Sequence, residues 1–79
     1  MKIQVLGSGC SKCEITERMV RETAQRLAIP VEIEKVKDMQ RIAAMGVMRT
    51  PAVAIEGKVV HSGRVPTADE IGAWLGAAR

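Results

Sequence analysis

Lys2-Ile3-Gln4-Val5-Leu6 reads as a short strand, with Gly7 to Gly9 as its tight exit. From Glu14 onward the period changes. Ile15, Met19, Val20, Thr23, Ala24 and Leu27 recur at steps of three and four, which predicts one buried stripe on a long amphipathic helix. The opposite face is charged, and Glu14–Arg18, Glu17–Arg21 and Glu22–Arg26 are all spaced i,i+4 in the favoured order. Pro30 is expected to stop this helix just after Ile29.

Val31-Glu32-Ile33-Glu34 alternates as a second strand with Val31 and Ile33 inward, and the apolar pattern resumes at Val36 out of register. Strand, helix, strand over this length is a βαβ unit, whose right-handed crossover makes the two strands parallel. Asp38 is placed to cap a short helix, Met39 to Met45, with Ile42 and Met45 inward and Gly46 as its C-terminal stop. After the connector Val47-Met48-Arg49-Thr50-Pro51, strands Ala52–Glu56 and Lys58–His61 are separated by Gly57, which predicts an antiparallel hairpin. Glu-Gly is not the preferred type I′ pair, so the pattern leaves the turn type open. Thr67 and Glu70 have capping-box spacing, and Ile71, Trp74, Leu75 and Ala78 mark the inner stripe of a last helix. The predicted order is βαβαββα: a single α/β domain over residues 1–79, with a four-stranded mixed sheet flanked by three helices.

Composition narrows what fills that frame. The 79 residues contain no Phe, no Tyr and one Trp, so the core must be built from aliphatic side chains. The net charge of +3 comes from 12 basic and 9 acidic residues interspersed along the chain. Nucleic-acid binding would want clustered cations with stacking aromatics, and neither is present. The N-terminal apolar run is too short for a signal-peptide core or a membrane span. A cytoplasmic location with no membrane partner is the expectation.

The chemistry concentrates at Gly7-Ser8-Gly9-Cys10-Ser11-Lys12-Cys13, which holds both cysteines of the chain. On the first turn of a helix, residues three apart share a face with Cβ atoms about 5–6 Å apart. A small rotamer change can then close a disulfide. Cys10 falls at or near the predicted helix N-cap, where unpaired N–H groups, the helix dipole and the Lys12 cation favour a thiolate. In a reducing compartment such a pair is redox-active or metal-binding rather than a permanent staple. The local motif does not decide between these two, because two thiolates on such a loop also hold a soft ion. A lone His61 at a strand end reads as solvent-exposed, and Met45 and Met48 read as core filling, so no metal ligand is assigned.

The element order, C-x-x-C at the first strand-to-helix junction and Thr-Pro just before the third strand resemble the thioredoxin and glutaredoxin superfamily. More narrowly, G-S-G-C-S-K-C, G-V-M-R-T-P-A and G-K-V-V-H-S-G-R-V-P look like small thioredoxin-like redox-active disulfide proteins. The resemblance covers nearly the whole chain. It implies a thioredoxin-like fold and a thiol–disulfide oxidoreductase, with Cys10 as attacking thiol and Cys13 as resolving thiol. It also implies that Pro51 is a cis-proline facing the pair, that Thr50 offers its backbone to substrate, and that Gly63 lets the chain pass near the site. No cofactor beyond the Cys10–Cys13 disulfide is implied. The implied partners are a disulfide-containing protein substrate and a reductase or low-molecular-weight thiol as electron donor, with the chain a monomer or weak dimer.

The sequence also departs from the family. No Trp precedes Cys10, the dipeptide between the cysteines is Ser11-Lys12, and Gln4 stands where thioredoxins carry a buried Asp that helps deprotonate the second cysteine. Lys12 and Gln4 are therefore expected to modulate the pair. The alternative function, a copper, zinc or metalloid carrier using the same thiols, sits less well with this chain. Such carriers run βαββαβ and end in a strand.

Overall fold

The computed structural model describes residues 1–7 and 11–78. Cys10, and the side chain of Ala78, lie outside the described residues. Seven elements follow in the expected order: β1 (Lys2–Leu6), α1 (Ser11–Arg26), β2 (Glu32–Val36), α2 (Met39–Ala44), β3 (Ala52–Ile55), β4 (Lys58–Ser62) and α3 (Ala68–Ala78). The four strands form one mixed sheet in the order β2-β1-β3-β4. β1 runs parallel to β2 and antiparallel to β3, and β3 is antiparallel to β4.

Both faces of the sheet are covered, and this resolves the broken alternation of β2. Ile33 lies opposite Ile3, and Val36 opposite Leu6. Successive strand residues point to opposite faces. Ile3, Val53 and Ile55 pack with Val20, Ala24, Ile29, Ile71 and Leu75, against α1 and α3. Leu6, Val36, Ala52 and Ala54 pack with Ile42 and Val47, on the side of α2. Ile33 and Val36 are thus both inward, towards different layers. β3 is buried along its whole length.

The buried face of α1 holds most of the expected stripe, with Met19 and Leu27 packed against the core, but it takes in Thr16 in place of Ile15. Cys13, Thr16, Val20, Thr23 and Ala24 are buried, whereas Ile15 is 38% exposed. Thr16 tolerates full burial because its Oγ1 donates to the Lys12 carbonyl at 2.8 Å. Of the three charged pairs proposed for the outer face, Glu17–Arg21 closes, at 2.9 Å, and Glu17 also reaches Lys35 of β2 at 3.1 Å.

α1 ends at Arg26, well before Pro30, and the cause is a backbone motif rather than the proline. Ile29 N–H donates to the Ala24 carbonyl at 2.9 Å and Ala28 N–H to the Gln25 carbonyl at 3.1 Å, with Ala28 at φ 56°. This is a Schellman closure with alanine in the left-handed position. α2 closes the same way with Gly46 there at φ 81°, through Val47 N–H to Ile42 at 3.3 Å and Gly46 N–H to Ala43 at 3.0 Å. At its start, Asp38 Oδ1 accepts from Gln40 N–H at 2.9 Å, the expected cap.

The hairpin turn left open by the sequence has Glu56 at φ 51° and Gly57 at φ 82° between paired Ile55 and Lys58. Two positive φ angles in a two-residue loop define a type I′ turn. The Thr67–Glu70 capping box closes reciprocally, Thr67 N–H to Glu70 Oε1 at 2.9 Å and Glu70 N–H to Thr67 Oγ1 at 3.1 Å.

Candidate active site

Cys13 occupies the first turn of α1, buried with 7% exposure, and leans on the end of β1. The contact is set by a missing side chain. A Cβ built on Gly7 would overlap Cys13 Sγ, and it would stand 3.7 Å from Thr50 Cβ. Gly7 therefore brings Cys13 of α1 and Thr50 of the connector to one point at the C-terminal end of β1. Its N–H donates to the Val36 carbonyl at 2.9 Å, which ties that point to β2.

The connector meets the same region. The Thr50–Pro51 peptide bond is cis, and Pro51 is buried. The Pro51 carbonyl accepts from Gly63 N–H at 3.1 Å. Gly63 has φ 98°, and Arg49 Cδ lies 3.7 Å from where its Cβ would stand. Thr50, Pro51 and Gly63 are thus one cluster, joined to Cys13 through Gly7. Met48, read as core filling, is instead 95% exposed, on the same connector.

A small cavity of about 20 Å³ lies against the buried thiol, lined by Val5, Gly7, Cys13, Glu14, Lys35 and Lys37. Lys35 stands opposite Val5 in the β1–β2 register, which puts both on the α1 side of the sheet. Gln4 occupies the other face. Its Nε2 donates to Glu34 Oε1 at 3.0 Å, and Glu34 is also approached by Lys2 at 3.6 Å and Arg41 at 3.7 Å. The Gln4 hydrogen bond first, and the two cations after it, hold the Glu34 carboxyl below its ordinary range. Lys12 is exposed on the first turn of α1.

His61 is half-buried rather than solvated. Its ring packs against Trp74, tilted by 41° with centroids 5.3 Å apart, and Nε2–H donates to the Arg64 carbonyl at 2.9 Å. Among the described residues, no three of His, Cys, Asp and Glu are grouped to hold a metal ion. Gly7, Glu14, Lys35 and Lys37 were not singled out by sequence as site residues. Gly7 reads as a turn glycine and Glu14 as part of a charged helix face. Only the strand register and the α1 packing place them beside the thiol.

Comparison with known proteins places these observations. A family model described as a thioredoxin domain matches residues 1–76. The thioredoxin of Methanothermobacter thermautotrophicus is 39% identical over 71 residues, spanning 90% of this chain and 92% of that protein. The thioredoxin of Methanocaldococcus jannaschii is 39% identical over 69 residues, spanning 87% of this chain and 79% of that one.

Proposed function

The chain belongs to the thioredoxin family and is a thiol–disulfide oxidoreductase, and from that premise we propose that Cys10 and Cys13 are the two thiols it uses. One observation carries the proposal. The thiol of Cys13 is buried on the first turn of α1, against Gly7, at the point where the Thr50–Pro51 connector also arrives. A nucleophile one turn earlier would then have its resolving partner on one side and a backbone able to receive substrate on the other.

In the proposed reaction the Cys10 thiolate attacks one sulfur of a substrate disulfide, forming a mixed disulfide and releasing the other substrate sulfur as a thiolate. Cys13 then attacks Cys10 Sγ. The Cys10–Cys13 bond forms, the bond from Cys10 to substrate breaks, and the second substrate sulfur leaves with the electron pair. Two electrons have passed to the substrate, and a reductase or low-molecular-weight thiol restores the dithiol. No cofactor takes part besides this disulfide. Thr50 and Pro51 receive the substrate chain, Gly63 keeps the neighbouring backbone close, and Lys12 favours the Cys10 thiolate. The protein acts in the cytoplasm as a monomer or weak dimer.

A redox titration of the pure protein, with thiols trapped by alkylation and counted by intact mass, tests this reading. The expected result is a reversible two-electron transition between roughly −270 and −180 mV. Failure to form the intramolecular disulfide, or resistance to alkylation until a chelator is added, would replace exchange by soft-metal carriage on the same thiols.

A further inference from the structure

The strand register lines up one edge of the sheet. Val36 pairs with Leu6, Leu6 with Ala52, and Ala52 with Ser62, so Lys37, Gly7, Pro51 and Gly63 are the next residues out along that edge. β1 lies between β2 and β3. The segment that leads from Gly7 to α1, and that carries Cys10 in the sequence, therefore leaves the sheet with the end of β2 on one side and the start of β3 on the other. Neighbouring strands are about 4.8 Å apart, which puts those two flanks about 10 Å from each other.

Each flank presents a cation. Lys37 is exposed and lines the cavity that touches Gly7 and Cys13. Arg49 is exposed on the connector, with its Cδ 3.7 Å from the Cβ position of Gly63, which sets it on the side of β3 and β4. Lys12, exposed on the first turn of α1, is a third. Among the described residues none of these three is in an ion pair, whereas Lys35 and Arg64, which border the same edge, are held by Glu17 and Glu70. Two other carboxylates belong to this edge. Asp38 is engaged with α2, where its Oδ1 accepts from Gln40 N–H, and Glu14 lines the cavity beside Lys35 and Lys37. Three unpaired cations against two carboxylates, with the positive end of α1 added, leave the edge electropositive on both flanks.

We propose that this edge selects disulfides in protein segments that carry carboxylates on both sides of the cystine, Lys37 receiving one and Arg49 the other. The inference rests on the chain exchanging disulfides through Cys10 and Cys13, and adds to it the class of substrate. An extended substrate advances about 3.3 Å per residue, so acidic side chains on the residues either side of its cysteine reach across the gap between the flanks. Exposed cations of this kind act on encounter: they raise the rate at which an acidic segment arrives and suppress the arrival of a basic one. The bond-breaking step is left to the thiols.

Three acetylated and amidated tripeptides X-Cys-X, with X as Glu, Gln or Lys, test this when each cysteine is carried as a mixed disulfide with 2-thiopyridine. Attack by the protein thiolate forms the bond to the peptide sulfur and expels thiopyridone with the electron pair, and its absorbance gives the rate. Each rate is divided by that of the same peptide with dithiothreitol, a neutral thiol, which removes the intrinsic effect of the flanking charges. The Glu peptide is expected to react about tenfold faster than the Lys peptide at low salt, with the Gln peptide between them and the spread collapsing towards about 0.5 M salt. Lys37→Gln and Arg49→Gln should each reduce the Glu-to-Gln ratio about twofold or more, a ratio in which any change of thiol reactivity cancels. Lys58→Gln removes the same charge at the far end of β4, opposite Ile55, and should leave the ratio unchanged. Equal normalised rates for the three peptides overturn the inference. So does a ratio that Lys58→Gln lowers as much as Lys37→Gln and Arg49→Gln, since net charge alone would then account for it. Absence of thiopyridone release from the reduced wild type with every peptide removes the exchange reading itself, and the inference with it.

Discussion

A methyl group added at Gly7 would contend with Cys13 Sγ for the same space, so the sulfur or the β1 terminus must move. Gly7→Ala is expected to destabilise the fold by about 1–3 kcal/mol, as overpacking of an ordered contact does. It should also slow closure of the disulfide, because Cys13 would leave the position that Gly7 defines. Urea denaturation reads the first effect and alkylation kinetics the second. This contact was not legible in the sequence, where a glycine after a strand is indistinguishable from a turn glycine. The C-x-x-C spacing and the Thr50-Pro51 dipeptide were legible, because they are local in the chain. What joins them, Gly7 with Thr50 on one side and Cys13 on the other, is a tertiary meeting of three segments. Gln4 illustrates the same limit. The family resemblance implies that it lies near the thiols, whereas strand parity puts it on the far face, bonded to Glu34.

Among the elements, the ends of the helices depart furthest from the expected boundaries. Pro30 is the expected stop of α1, but the helix closes earlier, through Ala28 at φ 56°. α2 makes the identical closure with Gly46. Alanine in that region carries a steric penalty that glycine does not. Ala28→Gly is therefore expected to stabilise the protein by about 0.5–1 kcal/mol, read as a higher urea midpoint with an unchanged slope. The buried stripe of α1 holds Val20, Thr23 and Ala24 as expected and departs from the pattern at Thr16 and Ile15. Thr16 looks polar in sequence, and only its bond to the Lys12 carbonyl makes it a core residue. Elements whose signals are self-contained, such as the Thr67–Glu70 box, were read correctly.

That box also sets a pH dependence at the level of α3. Glu70 is held at about 2 against an ordinary 4.5, first by the Arg64 guanidinium at 2.8 and 2.9 Å and then by Thr67 N–H. A carboxyl depressed in the fold contributes stability that is fully present above its unfolded value near 4.5, and that is lost as pH falls through about 2. Thermal midpoints should accordingly drop between about pH 4.5 and pH 2, and Glu70→Gln should flatten that slope. Glu34→Gln should flatten it further, since its carboxyl is displaced in the same direction.

For the molecule as a whole, the absence of Phe and Tyr leaves a core of branched aliphatic side chains in two layers that are unequal in cover. One face of the sheet carries α1 and α3, of 16 and 11 residues, while the other carries α2, of 6. Trp74 sits at the edge of the thicker layer, against His61. A small domain has little stability to spare, and local openings draw on the least-packed parts first. Deuterium should therefore enter from one side. Amides of α2 are expected to exchange through local opening, while those of β3 wait for global unfolding, and exchange read by mass spectrometry of peptic fragments distinguishes the two. The thiol-bearing helix belongs to the slow side. The protein can breathe across its thin layer without loosening the turn that carries Cys13.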